Sequence, residues 1–433
     1  AAAAAPGRDG AGQPPANSPP RTAPPPAEPA PAAPEPPPSQ VVIVNAPVQR
    51  CGSLGAALKL PGLRITRADT LPRSAAGHPP HCLVQGRLNE RTGLDRRRYA
   101  IGFEMRLPES WNGRFLHQAN GGQDGVLKPA HGALGVLATD ALSRGFAVLS
   151  SDGGHDADDP ANDAAKLVKA QVFGLDPQAR RDHAHEAQDR LYPVAQALIK
   201  ALYGREPKRS YMAGCSNGGR QVMVAASRTP ERYDGYLAGA PGFNAPRAAL
   251  QHAWDVQSWR LASPDIRKAF SPADLRLVAD HVLARCDALD MLVDGQVQDI
   301  RRCQPRLKLD ELRCQPGRGG ACLADTQLRA LERAFGGPRN SRGDALYSDW
   351  PFDPGIATPA WRSWKIESTV GAWDRLPVIA TMGAATLAYL YTTPPTPVAG
   401  TPAALLDHLL HFNFDRDASK VLAAPAPYGA SAV

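Results

Sequence analysis

The sequence lacks several features that mark common classes of protein. It has no run of 18 apolar residues, which excludes a membrane-spanning helix. It has no Cys-x-x-Cys spacing, which argues against a zinc cluster or a thioredoxin-type redox site. Its longest basic run is Arg96-Arg97-Arg98, so the net charge of +7 is typical of a basic solvated surface. We therefore expect neither a membrane span nor a nucleic-acid partner.

Proline is concentrated at the beginning of the chain. The first 40 residues hold 14 of the 43 prolines and almost no large apolar side chains. Such a segment cannot bury enough surface to offset its ordering entropy, so residues 1–40 are predicted to be a disordered tail. The chain starts at Ala1 without Met, in Ala-rich and Pro-rich sequence, which is typical of a mature chain whose signal peptide has been removed.

The seven cysteines are an odd number, and six of them fall close together in sequence as Cys51 and Cys82, Cys286 and Cys303, Cys314 and Cys322. Disulfides in an exported protein explain this better than metal binding, so we expect a secreted or periplasmic location. The spacing alone does not prove the pairing. Three pairs would leave Cys215 alone.

Residues 41–244 alternate strand-like and helix-like stretches, which predicts an α/β core built on a parallel sheet covered on both faces. Residues 245–415 differ, because loops and acidic turns dominate and six of the seven tryptophans lie there. We read this part as a second domain inserted into the first. Residues 416–433 would begin the return of the chain to the core.

The sharpest motif is Gly214-Cys215-Ser216-Asn217-Gly218, which matches G-x-S-x-G between a strand-like and a helix-like stretch. A nucleophilic serine on such a turn needs glycines at the positions where a side chain would clash. The turn would expose the Ser216 hydroxyl and aim the Asn217 N–H at a developing oxyanion. The alternative is an ordinary glycine-rich start of a helix.

An oxyanion hole needs a second N–H donor, which in this kind of fold comes from the loop after an earlier strand. Here that loop reads HQANGGQDG, and we predict Gly122 as the donor. The alternative is a plain glycine turn.

Residues 286–299 read CDALDMLVDGQVQD and crowd carboxylates into a short loop. Calcium takes six to eight oxygen ligands, including carboxylates and backbone carbonyls. The ligands predicted for a structural Ca²⁺ ion are Asp287, Asp290, Asp294 and the carbonyls of Leu292 and Gln296. A solvated acidic turn is the alternative.

These motifs together resemble the tannase and feruloyl esterase family of α/β-hydrolases. The matching stretches are NGGQDG, SDGGHD, YMAGCSNGGR, CDALDMLVDG and FNFDRD, and they run in the family's order from about residue 41 to the last residue. The resemblance implies an α/β-hydrolase core with a large inserted lid, Ser216 as the nucleophile and calcium in the lid. It also implies the disulfides Cys51–Cys82, Cys286–Cys303 and Cys314–Cys322.

The family also joins the cysteine before the nucleophile to a cysteine directly after the catalytic histidine. This sequence supplies Cys215 and Ser216 but no late Asp and no His-Cys pair. We therefore expect that the core is incomplete at its C-terminal end and that the 433-residue chain alone is nearly inactive. Its intact mass and its hydrolysis of a simple aryl ester would test this.

Residues within the chain offer one alternative triad: Ser216, Asp374 or Asp407, and His411. His155 precedes the nucleophile and so breaks the usual Ser, Asp, His order of this fold. We expect it to support its loop by hydrogen bonds.

The predicted function is hydrolysis of small aromatic esters, with feruloyl or galloyl esters ahead of terephthalate half-esters. Relatives that hold a free terephthalate carboxylate use a lid arginine, and Arg375 is the only arginine between Trp364 and Pro394. The lid tryptophans could form a slot for the aromatic acyl group. The rival class is an inactive, calcium-stabilised binding protein.

Overall fold

Seven strands form one mixed sheet in the computed structural model of the chain, which describes residues 45–133, 139–316 and 321–422. The predicted tail therefore lies outside the described residues. In chain order the strands are β1 (Leu63–Leu71), β2 (His81–Thr92), β3 (Arg98–Pro108), β4 (Arg114–Ala119), β5 (Ala147–Ser151), β6 (Arg209–Cys215) and β7 (Gly235–Gly239).

The order of the strands across the sheet is β1-β2-β3-β5-β4-β6-β7. The pairs from β1 to β5 are antiparallel, and the pairs among β5, β4, β6 and β7 are parallel. The prediction of a wholly parallel sheet is therefore wrong for its first half. The strands β1, β2 and β3 follow one another through short turns, and short connections join antiparallel neighbours.

Helices cover the sheet and make up most of the chain after it. They are α1 (Leu54–Ala57), α2 (Pro177–Arg181), α3 (Ala187–Tyr203), α4 (Asn217–Arg228), α5 (Ala245–Ala262), α6 (Pro272–Cys286), α7 (Ile300–Cys303), α8 (Asp325–Phe335), α9 (Pro359–Lys365), α10 (Met382–Thr386), α11 (Pro402–Leu410) and α12 (Asp417–Leu422). None of the helices in the described ranges is long and apolar enough to cross a membrane.

Two large apolar clusters account for most of the buried side chains. One is built on the sheet and α3, with Phe103, Phe115 and Trp111 fully buried. The other joins α5, α8 and the later helices around Trp259 and Phe270. Residues 245–415 contain no strand in the described ranges. The bounds of an inserted lid remain a prediction.

The three disulfides are confirmed as Cys51–Cys82, Cys286–Cys303 and Cys314–Cys322. The first joins the segment before β1 to β2, and the second closes the acidic loop after α6. Cys215 is a free and exposed cysteine in the described structure. Its partner, which the resemblance places after a catalytic histidine, remains a prediction.

Candidate active site

Ser216 lies on a strained turn between β6 and α4. Its φ of 60° and ψ of −120° place a non-glycine residue in a region that is normally disfavoured. Three backbone hydrogen bonds hold the turn: Ser216 N donates to Gly239 O at 3.0 Å, and Ser216 O accepts from Arg220 N at 3.0 Å and from Gly242 N at 3.2 Å. Ser216 itself is exposed, so a substrate can reach its hydroxyl.

The two glycines of the motif are required by close packing against the end of β4. A Cβ atom at Gly214 would lie 2.6 Å from the carbonyl oxygen of Ala119, and one at Gly218 would lie 2.3 Å from it. Backbone atoms cannot move away from such a contact as a flexible side chain can. Both glycines of the motif are therefore required by the packing of this turn.

The loop after β4 contributes the second side of the site. A Cβ atom at Gly121 would lie 3.3 Å from the carbonyl oxygen of Cys215 and 3.8 Å from the Cβ of Ser216. Gly122 has a φ of 80° and open space around it. The structure thus brings the predicted loop to the nucleophile, while Gly122 as the N–H donor remains a prediction.

A buried polar network that sequence reasoning missed lies beneath the turn. The Asp124 carboxylate accepts hydrogen bonds from Asn217 Nδ2 at 2.9 Å and from Gln221 Nε2 at 2.6 Å. Arg220 Nε donates to Asn217 Oδ1 at 2.8 Å, and its Nη1 donates to the Ala184 carbonyl at 2.8 Å. The side chain of Asn217 is thereby fixed on both sides, which orients the residue that follows the nucleophile.

Burial raises the pKa of Asp124 from 3.8 to about 7, although the charge of Arg220 and the hydrogen bonds of Asn217 and Gln221 oppose the shift. Folding therefore favours the protonated form of the Asp124 carboxyl. This preference adds to the free energy of unfolding in full below pH 3.8, and the added stability is lost as the pH rises through about 7.

An Asp124→Asn variant carries no such titration, so its stability relative to the wild type should increase as the pH is raised from 4 to 8. Thermal melts of both proteins across this range measure the difference. The other carboxyl groups titrate in both proteins, so their effect cancels in the comparison. A difference in melting temperature that stays constant with pH would contradict the raised pKa of Asp124.

His155 is buried beside this network, and its support of the loop by hydrogen bonds remains a prediction. Its ring stacks on Phe173 with 3.7 Å between the ring centroids. Hydrogen bonding from the backbone of Gly153 and Gln123 acts to raise the pKa of the ring, although neither ring nitrogen has a well-aligned hydrogen bond among the described residues. Burial outweighs this effect and lowers the pKa of His155 to about 3, so the ring is neutral near pH 7.

The alternative triad within the chain is not assembled. Asp407 pairs with His411 at 2.9 Å on a largely exposed surface, and Asp374 pairs with Arg267 at 3.2 Å. Over the described ranges, no side chain is hydrogen-bonded to the hydroxyl of Ser216. Within the described residues, Ser216 therefore has no side-chain partner that could act as a base.

The carboxylates of the predicted calcium loop cap backbone N–H groups of the same loop. Asp287 accepts from Asp294 N and Gly295 N, and Asp290 accepts from Leu292 N and Gln298 N. The described part of the chain holds no group of three or more His, Cys, Asp or Glu side chains placed to bind a metal. Each carboxylate keeps further lone pairs, so Ca²⁺ in this loop remains a prediction.

A sheet strand that ends in a strained serine turn, followed at once by a helix, defines the α/β-hydrolase class. The sequence profile described as tannase and feruloyl esterase matches residues 82–385. The chain therefore belongs to the tannase and feruloyl esterase family, as its motifs predicted.

Members of the family and one solved structure are similar to this chain. The chain is 36% identical over 385 residues to the mono(2-hydroxyethyl) terephthalate hydrolase of Piscinibacter sakaiensis, covering 83% of this chain and 63% of that enzyme. It is 27% identical to a probable feruloyl esterase B of Aspergillus clavatus, covering 69% of this chain and 55% of that protein. The fold matches the crystal structure of feruloyl esterase B from Aspergillus oryzae with a TM-score of 0.66 at 23% identity, over 88% of this chain and 70% of that one.

The chain thus spans about 63% and 55% of the lengths of these two sequence relatives. The α/β-hydrolase fold is confirmed by the structural match, while the activity and substrate of the whole protein are proposals. The roles of Ser216, Asn217 and Gly122 likewise remain predictions, supported by the geometry of the turn.

Proposed function

We propose that the protein hydrolyses carboxylic esters of aromatic acids through an acyl-enzyme on Ser216. The observation that carries the proposal is the Ser216 turn, where a strained backbone is held by hydrogen bonds and the hydroxyl is left exposed. Strain of this kind persists only where the surrounding structure fixes it, and it is concentrated at functional sites.

In the proposed reaction, Ser216 Oγ attacks the ester carbonyl while its proton passes to a general base. The negative charge that develops on the carbonyl oxygen is stabilised by the Asn217 N–H at the start of α4 and by an N–H of the Gly121-Gly122 loop. The C–O bond then breaks, and the alcohol leaves with a proton. Water attacks the acyl-enzyme in the same way and releases the aromatic acid and free Ser216.

Asp124 and Arg220 serve this reaction by holding Asn217. Both hydrogen-bond its side chain from opposite ends, so the backbone N–H of Asn217 is fixed before the substrate arrives. Donors that are fixed in advance stabilise an oxyanion without a cost of reorganisation. This explains why a buried, partly charged network lies beneath a site that must be open on its other side.

Arg375, the one arginine between Trp364 and Pro394, has a largely exposed side chain and already pairs with a carboxylate of the chain. Arg375 forms an ion pair with Glu367 at 2.6 Å, and Arg362 pairs with the same carboxylate at 2.8 Å. This arrangement supports feruloyl or galloyl esters ahead of terephthalate half-esters.

Relative kcat/KM values on methyl ferulate, methyl gallate and mono(2-hydroxyethyl) terephthalate would rank these substrates. We expect one of the two phenolic esters to be preferred. A preference for the terephthalate half-ester would favour the alternative function, hydrolysis of terephthalate half-esters. Inactivity on all three would contradict the proposal that the substrates are esters of aromatic acids.

We propose that calcium binds residues 286–299 and rearranges their carboxylates around it. The support is the disulfide Cys286–Cys303, which closes the loop, and the three carboxylates of Asp287, Asp290 and Asp294 within it. When bound, the ion would supply structural stabilisation of the loop and no chemistry at Ser216.

Calcium in large excess over its dissociation constant should raise the melting temperature relative to the protein in EGTA, since 100-fold excess adds about 2.7 kcal/mol. Asp290→Asn should lose most of this response. Asp349→Asn, which changes an exposed carboxylate outside the loop, should keep it. Identical melting temperatures in calcium and EGTA would show that the loop is only an acidic turn.

We further propose that the protein works outside the cytoplasm. The support is its three disulfides, since such bonds persist in oxidising compartments. Fractionation of the source cells would test this, and a protein found with reduced cysteines in the cytoplasm would contradict it.

A further inference from the structure

Asn120 lies between β4 and the two glycines that approach Ser216. β4 ends at Ala119, and Asn120 begins the loop that continues through Gly121 and Gly122. Asn120 is only 5% exposed. A buried carboxamide normally has a partner for each of its polar atoms, so the partners of Asn120 show which parts of the structure this side chain holds together.

The amide nitrogen of Asn120 joins the loop to the end of β5. Asn120 Nδ2 donates to Ser150 Oγ at 3.0 Å and to the carbonyl oxygen of Ser151 at 2.8 Å, so both of its N–H groups are used. The backbone pairing of β4 with β5 runs only as far as Gln118 and Ser150. The Asn120 side chain therefore continues the contact with β5 beyond the point where the backbone pairing ends.

The amide oxygen of Asn120 is fixed as well. It accepts from Gln118 Nε2 at 3.0 Å, and the Oε1 of Gln118 accepts from Gly132 N at 2.8 Å. A backbone N–H can only donate and a backbone carbonyl can only accept, so Gly132 N and Ser151 O set the orientation of both amides. The Asn120 side chain thus has a single orientation in which each of its polar atoms has a partner.

The backbone of Asn120 lies directly against the turn that carries Ser216. Its carbonyl oxygen accepts from Asn217 Nδ2 at 3.4 Å. The N–H groups of Gly121 and Gly122 have no acceptor within the described parts of the chain. The positions of these two N–H groups therefore depend on how the residues on either side of them are held.

The far end of the loop is joined to the same region of the structure. Gly125 N donates to the carbonyl oxygen of Asp152 at 2.7 Å, and Gly125 O accepts from Ala157 N at 2.8 Å. Residues 120–125 are therefore connected at both ends to the end of β5 or to the segment that follows it. Of these connections, the Asn120 side chain is the one next to Gly121 in sequence.

We propose that Asn120 is a positioning residue for the oxyanion hole of the proposed ester hydrolysis. By holding the start of the loop against β5, its side chain sets where the N–H groups of Gly121 and Gly122 lie relative to Ser216 Oγ. Because Asn120 is buried, it acts through those N–H groups, which stabilise the charge on the carbonyl oxygen in the transition state. The inference rests on the proposed function, since this charge develops only if Ser216 attacks an ester.

The experiment uses the protein expressed from its complete coding sequence and compares methyl ferulate with its thiono analogue, in which sulfur replaces the carbonyl oxygen. Sulfur is a weak hydrogen-bond acceptor, so the thiono ester gains little from an oxyanion hole. In Asn120→Ala we expect kcat on methyl ferulate to fall by up to about 100-fold. KM should change little, because the lost interaction is made in the transition state. The ratio of kcat/KM on methyl ferulate to that on the thiono ester should therefore fall as well.

Two further variants separate positioning from general damage to the fold. Ser150→Ala removes one acceptor of Asn120 and should lower the same ratio by a smaller factor, which keeps the test available if Asn120→Ala folds poorly. Asn112→Ala is the matched control at the other end of β4. The Asn112 amide accepts from Arg114 N at 2.9 Å and donates to the Arg144 carbonyl at 2.7 Å. Its loss should lower the melting temperature and leave the ratio unchanged.

Two results would overturn the inference and leave the proposed function in place. The wild type could hydrolyse methyl ferulate in a Ser216-dependent reaction while Asn120→Ala and Ser150→Ala, both folded, keep the wild-type kcat. Alternatively, Asn120→Ala could lower turnover of both esters by the same factor, as general damage to the fold would. A wild type that hydrolyses neither ester would instead overturn the proposed function, and this inference with it.

Discussion

Replacement of Ser216 by alanine should abolish ester hydrolysis by the protein expressed from its complete coding sequence, lowering kcat/KM by roughly 10⁴- to 10⁶-fold. The loss is large because no acyl-enzyme can form without the Ser216 oxygen. Since the side chain is exposed and makes no described hydrogen bond, the melting temperature should change little. Initial rates on methyl ferulate and a thermal melt measure both effects.

Ser227→Ala is the matched control, because Ser227 lies near the other end of the same helix and donates only to the Val224 carbonyl. It should retain the wild-type rate. If Ser216→Ala kept more than a few per cent of the activity, Ser216 would not be the nucleophile. If neither the wild type nor Ser216→Ala hydrolysed any ester while both bound the aromatic acid, the rival class of a binding protein would be favoured.

Replacement of Gly218 by alanine should damage both the fold and the activity. The added methyl group would lie 2.3 Å from the Ala119 carbonyl oxygen and 2.8 Å from its carbon, so β4 and α4 must move apart. Overpacking of this kind costs up to about 3 kcal/mol. A displacement of about 1 Å at a catalytic group can cost about 100-fold in rate, so kcat should fall even where the variant folds.

Gly242→Ala is the control for this substitution. Gly242 N donates to the carbonyl oxygen of Ser216 at 3.2 Å, but a Cβ atom at Gly242 would meet only the Cβ of Arg220 at 3.8 Å. An ordinary contact of this length should leave both stability and kcat close to the wild type. Equal effects of the two substitutions, read from urea unfolding and initial rates, would show that the close packing of α4 on β4 is not what shapes the turn.

The Ser216 turn could be predicted from sequence because its requirements are local. Two glycines, a serine between them and the change from strand to helix all lie within a few residues, and each has a steric reason. The direction of β1 and β2 could not be predicted in the same way. Whether neighbouring strands run parallel depends on which strands pair, and the insertion of β5 between β3 and β4 is not visible in any local pattern.

The network beneath the turn shows a second limit. Asp124 lies 93 residues from Asn217 in the chain, and only the folded structure brings the two side chains to hydrogen-bonding distance. A signal was present, since Asp124 belongs to the NGGQDG stretch that the family shares. Sequence reasoning assigned that stretch to the oxyanion loop alone and gave its aspartate no role.

One face of α5 is a third case. The spacing of Gln251, Asp255 and Trp259 is visible in the sequence, but polar residues at helical intervals are usually solvated. Only the burial of these three residues distinguishes this face from an exposed one. The tryptophans after residue 245 also differ in burial: Trp259 is buried, whereas Trp350 and Trp364 are more than one third exposed.

The most direct test of the account is to locate the acyl group during turnover. The protein expressed from its complete coding sequence is mixed with 4-nitrophenyl ferulate, quenched in acid within milliseconds and digested for tandem mass spectrometry. The account predicts a feruloyl group on Ser216, and none in Ser216→Ala. A feruloyl group on the neighbouring exposed thiol of Cys215, or hydrolysis at the wild-type rate with no acylated residue, would contradict it.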